Sequence, residues 1–162
     1  MVALRLPATA DRITHNTPDS LNERIRAKSV ERIRELASQP DRIPDRLAEL
    51  DREWDIERCL GAGSATLTLT GLALGTFVNR RWYILSAAVQ GFFLQHAIQG
   101  WCPPLPAFRA MGVRTADEIA QERFALKALQ GDFTEVEQGG PTAAGAALRA
   151  VGLLREAQPT EA

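Results

Sequence analysis

CLGAGSATLTLTGLALGTFVN (residues 59–79), RR (80 and 81) and WYILSAAVQGFFLQHAIQG (82–100) are the stretch that decides the fold. Neither long window holds an Asp, Glu, Lys or Arg. A helix needs roughly 20 apolar residues at about 1.5 Å each to cross a bilayer. The windows supply 21 and 19 residues. The link around Asn79-Arg80-Arg81 is so short that the two helices must be antiparallel neighbours. The expectation is an all-α membrane protein: a two-helix transmembrane hairpin with amphipathic helical arms on the cytoplasmic side.

Whole-chain numbers hide this. Over 162 residues the chain is 24% charged, with a formal net charge of −1 and a mean hydropathy of −0.16. All of the charged residues lie outside the two windows. A near-neutral total gives no electrostatic case for nucleic-acid binding. The opening residues include Arg5 and Pro7 and lack the apolar core of a signal peptide. Two cysteines are too few for a disulfide framework.

Outward from the windows, residues 1–19 are expected to be a disordered lead and 20–58 an amphipathic helical arm. Ser20 and Glu23 are spaced as a capping box, opening a helix over 20–38 whose apolar positions include Leu21, Ile25, Ile33 and Leu36. Pro40 and Pro44 break it. A pattern over 45–58, with Leu47, Leu50 and Trp54, resumes and runs toward the first span. The hairpin occupies 59–101, and 102–133 form an exit segment and a helix. Three prolines in Cys102-Pro103-Pro104-Leu105-Pro106 make that exit stiff. Thr115 and Glu118 read as a capping box for a helix ending near Gln130, before Gly131. Residues 134–162 are expected to be a flexible tail, with at most a weak helix near 148–154. Asp132 and Glu135 read as solvated charges.

Positive residues are retained on the cytoplasmic side. The loop has Arg80 and Arg81. The flanks carry Arg42, Arg46, Arg52 and Arg58 before the spans, and Arg109, Arg114, Arg123 and Lys127 after them. Both termini are therefore expected in the cytoplasm. Trp82 and Tyr83 at one interface, with Trp54 and Trp101 at the other, agree with the aromatic belts of spanning proteins. The rivals are a soluble helical protein with two buried helices, or a β-hairpin suggested by the alternation Ala65-Thr66-Leu67-Thr68-Leu69-Thr70.

Gly61, Ser64, Thr68, Gly71 and Gly75 share one face of the first helix. Small residues let backbones approach closely in lipid. Packing within the hairpin and homodimerisation both fit. On the second helix, Ala88, Gly91, Gln95 and Gln99 share a face, with His96 beside them. Polar groups in a membrane must face protein or water. Gln95, His96 and Gln99 therefore read either as interhelical hydrogen bonding or as a path for a small anion. Cys59 and Cys102 fall at the same end of the hairpin, and Cys102 is a candidate thiol held near water. A metal site needs more ligands than the chain's two histidines and two cysteines offer there. No Ser/His/Asp set, phosphate loop or carboxylate pair is present, and no catalytic residue, metal or cofactor is expected.

The Glu57-Arg58 lead-in, the small-residue first span, the short loop and the Gly100-Trp101-Cys102-Pro103 exit resemble the YgaP-like inner-membrane domain of bacteria, a domain of unknown function found alone or behind a rhodanese domain. Gly-x-Cys-Pro is the most specific of these features. The resemblance covers about 55–108, and the flanks look like those of the long stand-alone members. It implies a bacterial inner-membrane module that dimerises in its rhodanese-linked members. Sulfur chemistry there belongs to the rhodanese cysteine loop, which this chain lacks; Cys102 matches the family's exit cysteine. The resulting expectation is a non-enzymatic hairpin that dimerises and anchors cytoplasmic helices for a protein partner. The alternative is a sulfur-linked carrier or anion-channel component using Cys102 or the Gln95/His96/Gln99 stripe.

Overall fold

The computed structural model describes residues 11–134, 136 and 141–150. Among these, every regular element is helical. In order they are α1 (Arg12–His15), α2 (Asp19–Ala37), a 3-10 turn (Pro40–Arg42), α3 (Ile43–Leu50), α4 (Ile56–Phe77), a second 3-10 turn (Arg80–Trp82), α5 (Tyr83–Gln99), α6 (Leu105–Met111), α7 (Ala116–Gln130) and α8 (Pro141–Ala150). The strand alternative at 65–70 is excluded, since those residues lie inside α4.

α4 and α5 form an antiparallel hairpin. Asn79 closes it by accepting a hydrogen bond from the Arg81 backbone N–H at 2.9 Å. Gly100, at φ +77°, ends α5 in the left-handed conformation. Glycine adopts that conformation without a Cβ penalty. The soluble alternative with two buried helices does not match this pair. Phe77 is 84% exposed, and Leu69, Ile84 and Leu94 are exposed too. α4 is long and apolar enough to cross a membrane, with 17% of its apolar window buried.

The remaining helices make a polar bundle. α2, α3 and α7 bury Leu36, Ile43, Leu50, Ile119 and Leu126 against one another. A second core joins bundle to hairpin through Ile13, Ile56, Leu60, Cys102 and Leu105. Full burial of such a side chain contributes about 1.5–3 kcal/mol, so both clusters matter to a fold this small. The Ile56 backbone N–H also donates to the Arg114 carbonyl at 2.9 Å, tying the start of α4 to the approach to α7.

Several boundaries differ from the expectation. α2 begins at Asp19 behind Pro18, without a side-chain cap. The Ser20 box does not form, because the helix already starts at Asp19 behind Pro18 and Ser20 lies inside its first turn, not at the N-cap. Pro44 sits in the first turn of α3 rather than breaking a helix, since proline at a first-turn position loses no intrahelical bond. α3 stops at Leu50, and α4 begins afresh at Ile56 with Asp55 capping the Arg58 N–H at 2.7 Å. The exit holds a helix of its own, α6, with Pro104 as N-cap. Part of the expected disordered lead is ordered as α1, and 1–10 lie outside the described residues. α8 covers part of the expected flexible tail, whereas 151–162 lie outside the described residues. The Thr115/Glu118 box is complete, and α7 ends at Gly131 with φ +85°.

Charge pairing locks the bundle. Glu122 on α7 is 1% exposed and accepts hydrogen bonds from Arg46 Nε at 2.8 Å, Arg32 Nη1 at 3.1 Å and Arg114 Nη1. Burial raises its carboxyl, but Arg46 and Arg114 outweigh that and hold it below the ordinary carboxylate value. Arg109, fully buried, makes a two-pronged pair with Glu118 at 2.7 and 2.8 Å and donates to Asn22 Oδ1 at 2.7 Å. Such forks fix geometry as well as charge.

Candidate functional site

The packing of the hairpin itself places the candidate residues on α4 and α5. Thr68 receives the Ser86 hydroxyl on its carbonyl at 2.9 Å and Gln90 Nε2 on its own hydroxyl at 2.7 Å. Gly71 and Gly75 lie directly beneath α5. A Cβ on Gly71 would stand 2.5 Å from Ser86 Oγ, and one on Gly75 2.6 Å from the Tyr83 ring. These two glycines therefore serve the contact within the hairpin. Gly61 has open space where a Cβ would be, and Ser64 turns its hydroxyl to the Gly61 carbonyl at 3.0 Å. The small-residue face is thus divided: Thr68, Gly71 and Gly75 meet α5, while Gly61 and Ser64 lie nearer the hairpin base.

The polar stripe on α5 is divided too. His96 is 1% exposed, and its Nε2 lies 3.1 Å from Glu57 Oε2 on α4. With a carboxylate as partner, Nε2 carries the hydrogen and donates it. Phe93 stacks on the imidazole with ring centroids 6.4 Å apart. Arg12 closes the cluster from α1, donating to Glu57 Oε1 at 2.6 Å and to the Ala97 carbonyl at 3.0 Å. Asn16 donates to the Gln99 carbonyl at 3.0 Å. A Cβ at Gly100 would meet the Arg12 carbonyl at 2.7 Å, so glycine is needed there for close approach as well as for φ. Gln95 is half-buried and Gln99 exposed, and neither side chain joins His96. The interhelical amide is Gln90, which sequence reasoning passed over together with Ser86; Glu57 and Arg12 were likewise missed as the partners of His96.

Cys59 and Cys102 line one apolar cavity of about 300 Å³, between the lower parts of α4 and α5 and the exit segment, with Phe92, Phe93 and Phe108 in its walls. Both thiols are free. Cys102 is 3% exposed, not near water as its place before the prolines suggests. Leu105 and Phe108 of α6, unforeseen from sequence, fold back over it. Burial pushes its thiol up, a backbone N–H from Leu105 draws it down, Glu57 adds to the rise, and the net direction is up. That disfavours the nucleophilic thiolate. Among the described residues no cluster of three His, Cys, Asp or Glu side chains could hold a metal ion, and no nucleophile is hydrogen-bonded to His96. Chemically, this arrangement closes and fastens the base of the hairpin. No family model, curated protein or solved structure matches the chain.

Proposed function

We propose that this protein is a two-span membrane anchor. The α4/α5 hairpin sits in a bacterial inner membrane and holds the helical bundle at its cytoplasmic face for a protein partner, without catalysing a reaction. The observation that carries this reading is the outward apolar surface of the hairpin, with Leu67, Leu69, Phe77, Ile84, Phe92 and Leu94 all exposed. Outside a membrane, a surface of that kind on a monomer would promote association. The hydroxyls on α4 support it. Thr66, Thr70 and Thr76 each donate to a carbonyl four residues back at 2.8–2.9 Å, so they are satisfied without water. Polar groups within lipid require such internal partners.

Length also fits. α4 has 22 residues and α5 has 17. At about 1.5 Å per residue they reach about 33 Å and about 25 Å, against a hydrocarbon core of about 30 Å. The shortfall of α5 is met by the turn Arg80–Trp82 and by local thinning of the bilayer. Arg58 stacks over Trp54 at 4.3 Å, an arrangement suited to an interface. The excess of arginine on the bundle side sets the orientation. The YgaP-like resemblance leads to the same module. With Gly71 and Gly75 occupied inside the hairpin, association between copies falls to the open backbone at Gly63 and Gly91. A sulfur-carrying role for Cys102 gains from the shared cavity with Cys59 but is opposed by burial of the thiol; an anion path along Gln95, His96 and Gln99 is opposed by the closure of His96 on Glu57.

Extraction decides between anchor and soluble protein. The chain should stay in the membrane pellet through alkaline carbonate and leave it only with detergent. A tag between Asn79 and Arg80 should be reached by protease from the face opposite the termini. Release by carbonate, or a loop tag on the same side as the termini, would overturn the reading.

A further inference from the structure

The surface of the bundle has a second cavity, of about 360 Å³, between α2, α3 and the α6–α7 connection. Arg24, Lys28, Arg32, Arg46 and Arg114 line it, with Glu53 as the one carboxylate in its wall. Their pairing is unequal. Arg32, Arg46 and Arg114 are matched by Glu49, Glu53 and the buried Glu122. Arg24 and Lys28 have no carboxylate within ion-pair distance among the described residues; Arg24 donates only to the Ala110 carbonyl at 2.7 Å. The cavity therefore has two uncompensated positive charges on a chain whose formal total is −1.

Local structure makes the excess costly. Arg24, Lys28 and Arg32 succeed one another at four-residue spacing along α2, and like charges at that spacing repel. Ser29 accepts from Arg114 Nη1 at 3.2 Å, which leaves its own hydroxyl hydrogen to donate. Gly112, at φ +88°, turns the backbone along the wall, and Met111, 70% exposed, gives an apolar edge. Guanidinium and ammonium donors around a cavity of this size match a tetrahedral dianion with a small organic group attached.

We propose that this cavity binds a phosphomonoester, its two negative charges neutralising Arg24 and Lys28 while the ester group lies along Met111. The same chemistry is offered by a soluble phosphorylated metabolite and by the headgroup of phosphatidate.

The chain has two lysines, Lys28 and Lys127, so amine acylation read by mass spectrometry gives a reporter in the site and an internal control on α7. The full chain is acylated at pH 7.5 in uncharged maltoside micelles with and without inorganic phosphate, and in phosphatidylcholine nanodiscs with and without phosphatidate. Lys28 should be acylated at least threefold more slowly with the anion present, Lys127 at an unchanged rate. Arg24→Ala should abolish the protection, and Arg80→Ala/Arg81→Ala, which removes two positive charges at the hairpin tip, should retain it. Protection by phosphate assigns the site to soluble ligands, and protection only by phosphatidate assigns it to the lipid. No protection in either setting, equal protection of both lysines, protection that survives Arg24→Ala, or its loss in the hairpin-tip variant would overturn the proposal.

Discussion

Replacing Glu122 with alanine removes the carboxylate shared by Arg32, Arg46 and Arg114. Its surroundings determine the size of the effect. The side chain is out of water, whereas Arg32 is about a third exposed and can turn to solvent. Arg46 keeps Glu49 and Glu53, and Arg114 keeps Glu53. Arg114 is the residue left worst off, because it is 5% exposed and loses one of its two carboxylates. Removing one partner of a buried pair costs about 3–5 kcal/mol, mostly through the stranded charge. The bundle is the size of a small domain, for which each kcal/mol moves Tm by about 4–8 °C. The Glu122→Ala protein in detergent should therefore melt at least about 12 °C lower by circular dichroism. Glu122→Gln, which keeps the shape and one acceptor, should fall between variant and parent. A double variant with Arg114→Met should recover part of the loss, because the stranded charge is gone. A shift under about 3 °C for Glu122→Ala, less than about 1 kcal/mol on this scale, would refute the reasoning that the network locks α7 to α2 and α3.

Gly71→Val and Gly75→Val should each separate α4 from α5 at a cost of about 1–3 kcal/mol, visible as weaker cysteine cross-linking between the two helices; Gly63→Ala and Gly91→Ala, with nothing within 4 Å, should leave it intact. Acid should loosen the bundle. Burial raises the Glu118 and Glu122 carboxyls, but their arginines reverse the sign and leave both lowered. Their stabilisation is thus complete above the unfolded carboxylate value near 4.5 and is lost as pH falls from there through the lower folded values. Melts from pH 7 to pH 3 should show a Tm that is level and then drops, with the drop reduced in Glu122→Gln. Cys102 should resist a membrane-impermeant maleimide even in opened membranes, and react once denaturant displaces α6; rapid labelling of the native protein would contradict its burial.

The hairpin was legible because it is written in what is missing. Two charge-free windows and a two-arginine link need no tertiary knowledge. α7 was legible at both ends, since Thr115, Glu118 and Gly131 act within a few residues of themselves. The Ser20 box was a local signal overruled by a neighbour, Pro18, which fixes the preceding backbone. The bundle's ionic core was invisible for a different reason. Glu122 is one glutamate among many on a charged helix until arginines 76 and 90 residues away converge on it. His96 was visible as a costly polar group, but Glu57, 39 residues earlier, and Arg12, 45 residues before that glutamate, are joined only by the fold. α6 was hidden because its prolines look like helix breakers and instead sit at its first turn.

The seat of α1 has a consequence for the order of events during synthesis. Arg12 and Asn16 bind the Ala97 and Gln99 carbonyls, 85 and 83 residues downstream. The ribosome makes those carbonyls only as the second window nears its end. Until then the front of the chain has nothing to hold, and Glu57 has neither His96 nor a settled Arg12. Only with α5 in place can α1 lie over Glu57 and His96 and against Gly100. The front of the protein therefore fastens only to a nascent chain whose second window is all but complete.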